Sequence, residues 1–234
     1  MKRFRTIRES GALSRRFGSS GPVFTPASAQ FYGSSFLGIP NSAAFTLGTN
    51  NHTVEFWMYK TTNGQYDTVF SYDGSATGSG VNHYYFNTGT AQFLLIIGTG
   101  GGFFTVSCGA VPSANAWHHY AIVRNGNTFT VYIDGVSVGS GTYGASFPTQ
   151  SGPMVVGAEN SSGQSGITGY ITNFRFVNGT ALYTSNFNPV PTSSLTAITN
   201  TRVLIQGLVD KGPNTLTLTN FGGVTFSSQT PLTS

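Results

Sequence analysis

Glu9, Glu55, Asp67, Asp73, Asp134, Glu159 and Asp210 are the only carboxylates in the chain, and with four histidines they bound its acid–base chemistry. Hydrolysis of a glycosidic bond needs two carboxyl groups flanking it, one as acid and one as base or nucleophile. No two of the seven lie within four residues of each other, so no single strand carries such a pair. A pair assembled from two strands stays open. Glu55, in HTVEFWMYK beside Trp57, reads instead as a hydrogen-bonded structural carboxylate. His118 and His119 are adjacent, and adjacent strand residues point to opposite faces. They read as one surface ring and one packed ring, with His52 and His83 isolated from them. No serine or cysteine stands in a recognisable nucleophile motif, and no glycine loop leads from strand to helix to cradle phosphate. The chain reads as a non-enzyme with no catalytic residues.

Other chemistries leave fainter marks. Calcium needs several oxygen ligands converging from loops. Asp67, Asp73, Asn82 and Glu159, with carbonyls of the glycine-rich stretch 74–80, are the residues that could supply them. No metal site is assigned, and calcium is the one cofactor the pattern leaves open. Asp134, before Gly135, reads as a turn residue. Tyr66, Tyr72, Tyr84, Tyr85 and Tyr143 lie in or near loops and could form a stacking platform for sugar; core packing is the competing explanation for each. Cys108 is the sole cysteine, so no intrachain disulfide forms, and FFTVSCGAV marks it as a buried strand thiol. The sequons at Asn51, Asn160 and Asn178 read as chance matches.

The elements that must position these residues are strands. Phe and Tyr together number 30, glycine numbers 31, and charged residues make up 8%, against roughly 25% in an average soluble domain. Aromatic and β-branched residues suit a pleated surface, while Gly, Asn and Ser suit tight turns. Strand patterns begin at FYGSSFLGI (31–39) and AFTL (44–47), around a Pro40-Asn41 turn. In HTVEFWMYK (52–60), Val54, Phe56 and Met58 share one face, and Thr53, Glu55, Trp57 and Tyr59 the other. WHHYAIVRNGNTFTVYIDGVSVGSG (117–141) holds two alternating runs around Asn125-Gly126-Asn127, then a tight Asp134-Gly135 turn. PMVVGAE, GYITNFRFVNG, RVLIQG, NTLTLTN and VTFSS continue the series. About a dozen short strands at regular spacing, with no credible helix beyond the first fifteen residues, predict an all-β antiparallel sandwich or barrel. No run of about eighteen apolar residues exists to span a membrane as a helix.

Charge divides the chain. Lys2, Arg3, Arg5, Arg8, Arg15 and Arg16 against Glu9 give residues 2–16 a net +5, and the remainder carries −1. Residues 1–27 read as a basic, extended arm, because Pro22, Pro26 and the Gly/Ser content disfavour helix. At about 3.3 Å per residue it could reach roughly 80–90 Å. Such an arm favours an acidic partner; a solubilising tail and an organellar leader are the alternatives. Arg and Ser interrupt the apolar centre that a secretory signal would need.

FYGSSFLGIPNSAAFTLGTNNHTVEFWMYK (31–60) resembles the opening of laminin-G-like, concanavalin A-like jelly-roll domains, with a PNS-type turn and an EFW strand. WHHYAIVRNGNTFTVYIDGV (117–136) is similar to the same family's central hairpin, and GYITNFRFVNGTALYTSNFNPVP (169–191) to its closing segment. The tail, 202–232, resembles extra strands that follow this domain in bacteriophage proteins, especially cyanophage-like ones. The resemblance covers 28–234, with 200–234 as extra C-terminal strands, and implies a jelly-roll sandwich behind the arm.

Fold alone does not fix function. The main expectation is a virion structural protein that decorates or cements a capsid. Its arm would grip the major capsid protein at the capsid surface, after assembly in the host cytoplasm, with copies of itself as homodimer or homotrimer partners. The alternative is a carbohydrate-binding adhesion module that recognises a host-surface glycan. Neither reading involves a membrane, and nucleic acid is reachable only through the arm.

Overall fold

A computed structural model describes residues 27–63, 66–72, 81–87, 94–99, 102–188 and 190–232. The strands are β1 (Ser28–Tyr32), β2 (Phe36–Ile39), β3 (His52–Lys60), β4 (Tyr66–Tyr72), β5 (Val81–Asn87) and β6 (Leu94–Thr99). Then follow β7 (Phe103–Ser107), β8 (Trp117–Asn125), β9 (Thr128–Ile133), β10 (Val136–Thr142) and β11 (Met154–Val156). The series closes with β12 (Thr168–Asn178), β13 (Thr201–Gln206), β14 (Val209–Asp210), β15 (Thr219–Phe221) and β16 (Thr225–Ser227). They form two antiparallel sheets. The first runs β10-β9-β8-β3-β12-β1-β16, with β13 and β14 paired beyond β12; the second runs β15-β2-β11-β4-β5-β6-β7. The all-β sandwich expected from the sequence is the fold observed.

The sheets face each other over one aromatic core. β3 turns Val54, Phe56 and Met58 inward as the alternation requires. Phe56 stacks on Tyr120, its register partner on β8, with centroids 5.3 Å apart. Phe70 stacks on Tyr84 at 4.4 Å. Cys108, one residue past β7, is buried in the same core, where burial pushes its thiol up to about 11 and keeps it protonated.

Two turns carry the central hairpins. Gly126 (φ +61) opens the β8–β9 connection, while Asp134 (φ +49) and Gly135 (φ +80) form the β9–β10 turn. Left-handed backbone at consecutive turn residues matches the strand twist, and Asp–Gly tolerates it. The segment 44–47 differs from its expected strand. Ser42 caps a short 3-10 turn, Ala43–Phe45, by accepting from the Ala44 N–H, and so Phe45 enters the core from that turn and Leu47 from the coil after it.

The outer face of β3 is not solvated. Thr53, Glu55 and Trp57 are all buried. A strap, described over 179–188 and 190–196, crosses that face, packing Ala181, Tyr183 and Phe187 on Ala121, Val123 and Tyr132. Trp57 Nε1 donates to the Pro191 carbonyl at 2.7 Å, which satisfies the indole beneath the strap. Beneath it too, Glu55 accepts from Arg175 Nε at 2.8 Å and from the Tyr183 hydroxyl at 2.8 Å. Burial opposes ionisation of Glu55, but the imidazole of His119 and the Arg175 charge outweigh it and hold the carboxyl below its ordinary value.

Candidate functional site

The outer face of the second sheet carries a groove at the β15-β2-β11 end. Phe36 and Gly38 alternate outward from β2, and Val155 of β11 pairs with Gly38. Phe221 of the edge strand β15 pairs with Phe36, and the two rings stack with centroids 4.6 Å apart and planes inclined by 18°. Gly38 makes room for this, since a Cβ there would lie 3.1 Å from Phe221 Cε2. Phe36 is buried under the stack, whereas Phe221 remains 43% exposed.

Pro40, Pro153, Ser161 and Thr219 complete a shallow depression of about 180 Å3 with an almost wholly apolar lining. No charged side chain lines it. The Ser161 and Thr219 hydroxyls border it, and neither makes a hydrogen bond among the described residues. Enclosed small-molecule pockets run to roughly 300–1,000 Å3. A depression of this size suits one ring laid flat, and its exposed phenyl offers a π face to the C–H side of a sugar.

Among the described residues, the tyrosines expected to form a platform do not converge. Tyr72 and Tyr84 are corrected to core residues, because both alternate inward and are fully enclosed between the sheets. Tyr66 is exposed at the first position of β4, and Tyr143 is half-buried against Phe104 and Phe147. The side chain of Tyr85 lies outside the described residues. So do the arm residues Lys2, Arg3, Arg5, Arg8, Arg15 and Arg16.

The carboxylates are mostly committed to structure. Asp67 pairs with Lys60 at 2.9 Å in a buried contact, where burial raises its pKa against the pull of the lysine. Glu159 accepts from the Ser165 hydroxyl at 2.8 Å. Three backbone N–H groups donate to Asp210. Among the described residues no three His, Cys, Asp or Glu side chains group as metal ligands. Of the expected calcium set, Asp73 and the Asn82 side chain lie outside those residues. His119 is buried on the outer face beside Trp57, under the strap, whereas His118 is half-buried on the opposite face, next to Tyr120, as strand alternation requires. Asn160 and Asn178 are buried, and Asn178 donates to the Ala44 and Thr46 carbonyls.

A family model described as the concanavalin A-like lectin/glucanases superfamily matches residues 32–184. The chain belongs to that superfamily. Its match runs from the end of β1 into the first part of the strap, so the strand β2 of the groove lies inside it and Phe221 lies beyond it. Among solved structures, this superfamily member is similar to a proposed carbohydrate-binding protein from Bacteroides ovatus ATCC 8483. The TM-score is 0.65 at 14% identity, over 90% of this chain and 61% of that one. It thus spans about three-fifths of that protein. A heptameric SAP-like pentraxin from Limulus polyphemus matches with TM-score 0.59 and 15% identity, over 87% of this chain and 95% of that one. Domain 4 of an extracellular arabinanase from Geobacillus stearothermophilus, in complex with arabinotriose, matches with TM-score 0.51 and 18% identity. That match covers 67% of this chain and 72% of that one. Identities this low establish shared fold alone. No curated protein sequence matches.

The aromatic groove escaped the sequence reading because Phe36 and Phe221 look like ordinary core residues in short apolar runs. The available signal was Gly38, two positions after Phe36 on the same strand face, where a missing side chain leaves a place for a ring.

Proposed function

We propose that this domain is a carbohydrate-binding module that takes a neutral sugar ring on the groove formed by Phe36, Gly38, Val155 and Phe221. One observation carries the reading: a half-exposed phenyl ring stacked on a buried partner, its edge over a glycine, in a depression that Ser161 and Thr219 help to line. Superfamily membership and the carbohydrate binders among the structural neighbours support it. A site this small and open binds weakly, with a dissociation constant about millimolar, roughly −4 kcal/mol. Several copies on one surface would raise it by avidity.

The test is a glycan array probed with the multimerised chain, followed by titration of the best ligand into wild type and Phe221→Ala. Binding to neutral glycans, lost in the variant while thermal unfolding stays unchanged, is the expected result. Binding that survives in Phe221→Ala would move the site elsewhere.

A second reading rests on the uneven charge. A leader of net +5 before a nearly neutral body suits anchoring of the sandwich to an acidic surface. On that reading the domain decorates a viral capsid beside copies of itself, with Lys2, Arg3, Arg5, Arg8, Arg15 and Arg16 gripping the shell protein. Co-purification with intact particles in fixed stoichiometry, lost on deletion of residues 1–20, would support it; a host-glycan ligand with no particle association would exclude it.

A further inference from the structure

Ser113, His118 and Asp134 form a hydrogen-bonded chain at the surface, away from the groove strands. His118 Nδ1 lies 2.7 Å from Asp134 Oδ2, and His118 Nε2 lies 3.0 Å from Ser113 Oγ. The residues reach one another by strand pairing. His118 stands on β8, Asp134 occupies the β9–β10 turn, and Ser113 sits in the turn that leads into β8.

Each member is fixed from behind. The Asp134 N–H donates to the His119 carbonyl at 2.8 Å, and the His119 N–H donates to Asp134 Oδ1 at 2.8 Å, leaving Oδ2 for the imidazole. The turn carrying Ser113 is tied down by the Asn115 N–H, which donates to the Lys60 carbonyl at 2.8 Å. A carboxylate accepts only, so Nδ1 carries a proton, and in the neutral ring Nε2 then carries the lone pair. The Ser113 hydroxyl therefore donates to Nε2. That is the arrangement of nucleophile, base and orienting acid used in acyl transfer, which is recognised by geometry and not by sequence order.

We propose that Ser113 is an activated nucleophile toward small, unhindered acyl esters, with His118 as its general base and Asp134 as the positioning residue. In the first step Ser113 Oγ forms a bond to the acyl carbon while its proton passes to His118 Nε2. The tetrahedral oxyanion then collapses, the ester C–O bond breaks, and the leaving alkoxide takes the proton from Nε2. Water, deprotonated by the same nitrogen, releases the acyl group as a carboxylic acid and restores Ser113. Ser113 is exposed and Asp134 is 45% exposed, so solvent reaches the reacting atoms from several sides. The acceleration is that of general acid–base catalysis alone, about 10²–10⁴-fold. The activity is independent of any glycan bound in the groove.

The experiment treats the full chain with a fluorophosphonate probe, maps the adduct by peptide mass spectrometry, and follows p-nitrophenyl acetate turnover. Wild type should give one adduct, on Ser113, and Ser113→Ala none. His118→Ala should label at least about 100-fold more slowly. Asp134→Asn keeps a residue tolerant of the left-handed turn, but its amide nitrogen would face Nδ1 and favour the other tautomer. That variant should lose reactivity together with the Nδ1–H signature in the ¹⁵N shifts of the His118 ring. Unchanged thermal unfolding of Ser113→Ala and His118→Ala shows that the fold is intact. No adduct on Ser113, or equal labelling of His118→Ala and wild type, overturns the proposal.

Discussion

Arg175 and Glu55 face each other as register partners on β12 and β3, and both guanidinium contacts, from Nε at 2.8 Å and from the terminal nitrogen at 2.5 Å, reach the same carboxylate oxygen. The other oxygen accepts from Tyr183 of the strap. The pair thus joins the centre of the first sheet to the segment that covers it. Removing one partner leaves a buried charge uncompensated, which costs far more than the pair contributes in place. Arg175→Met should lower stability by about 3–5 kcal/mol in urea unfolding. A double change to Arg175→Met with Glu55→Leu should recover a substantial part of that loss.

His52 sits in the core, with Nδ1 3.1 Å from the Asn50 carbonyl and Nε2 2.6 Å from the Tyr84 hydroxyl. A carbonyl only accepts, so Nδ1 carries the proton and Tyr84 donates to Nε2. Burial lowers the pKa of this ring from 6.5 to about 4. The unfolded chain therefore binds a proton that the fold refuses between those values, and stability rises with pH across the window. The contribution is complete above pH 6.5 and lost on descent to pH 4, an effect of about 3 kcal/mol. Urea midpoints measured from pH 7 to pH 4 should show the fall. The double variant His52→Phe/Tyr84→Phe removes both polar partners at once and should flatten the profile there.

Much of the fold could be read from spacing, because its rules are local. Asn125-Gly126 and Asp134-Gly135 demanded tight turns, and the alternation of Val54, Phe56 and Met58 chose the inner face correctly. What the alternation could not say is what lies on the other face. Thr53, Glu55 and Trp57 were sorted together by period, yet their burial depends on the distant strap through Tyr183, Phe187 and Pro191. The tail shows the same limit. NTLTLTN alternates along its length, but only its last two residues, with Phe221, pair as a strand, on the edge of β2. The candidate site was less legible still. Tyr72 and Tyr84 carry the residue type expected of a sugar platform but point inward, while the exposed ring is a phenylalanine whose role depends on a cross-strand glycine.

Asp210 holds the tail in place. The backbone N–H groups of Leu204, Gly212 and Leu216 donate to its two oxygens at 2.8–2.9 Å. Leu216 and Leu218 then pack on the core just before β15. An asparagine offers only one accepting oxygen, so Asp210→Asn turns an NH2 toward at least one of these donors. The expected cost is about 1–3 kcal/mol for the unsatisfied buried group. Hydrogen exchange should locate the loss: protection falls in residues 211–227 while β3, β8 and β12 keep theirs. Uniform loss across both sheets would show that the carboxylate supports the whole sandwich.

Gly38 offers a test of the groove that leaves its aromatic residues untouched. It is the floor on which the Phe221 ring lies, and the nearest atom to an added Cβ would be the ring edge, at 3.1 Å. That contact is slightly too close, and the obstacle is the end of a movable side chain. Gly38→Ala should therefore shift the ring by a few tenths of an ångström and weaken ligand binding moderately. Gly38→Leu fills the floor itself, so Phe221 must leave its stack on Phe36. Leu37 and Ile39 point the other way, into the core, and keep their packing. The unfolding midpoint should then move by no more than about 2–4 °C, the equivalent of 1 kcal/mol in a domain of this size. Glycan binding should fall as far as it does in Phe221→Ala, and the two changes together should cost no more than either alone, because each removes the same flat ring. A Gly38→Leu protein that binds its glycan as wild type does would place the sugar on another surface of the sandwich.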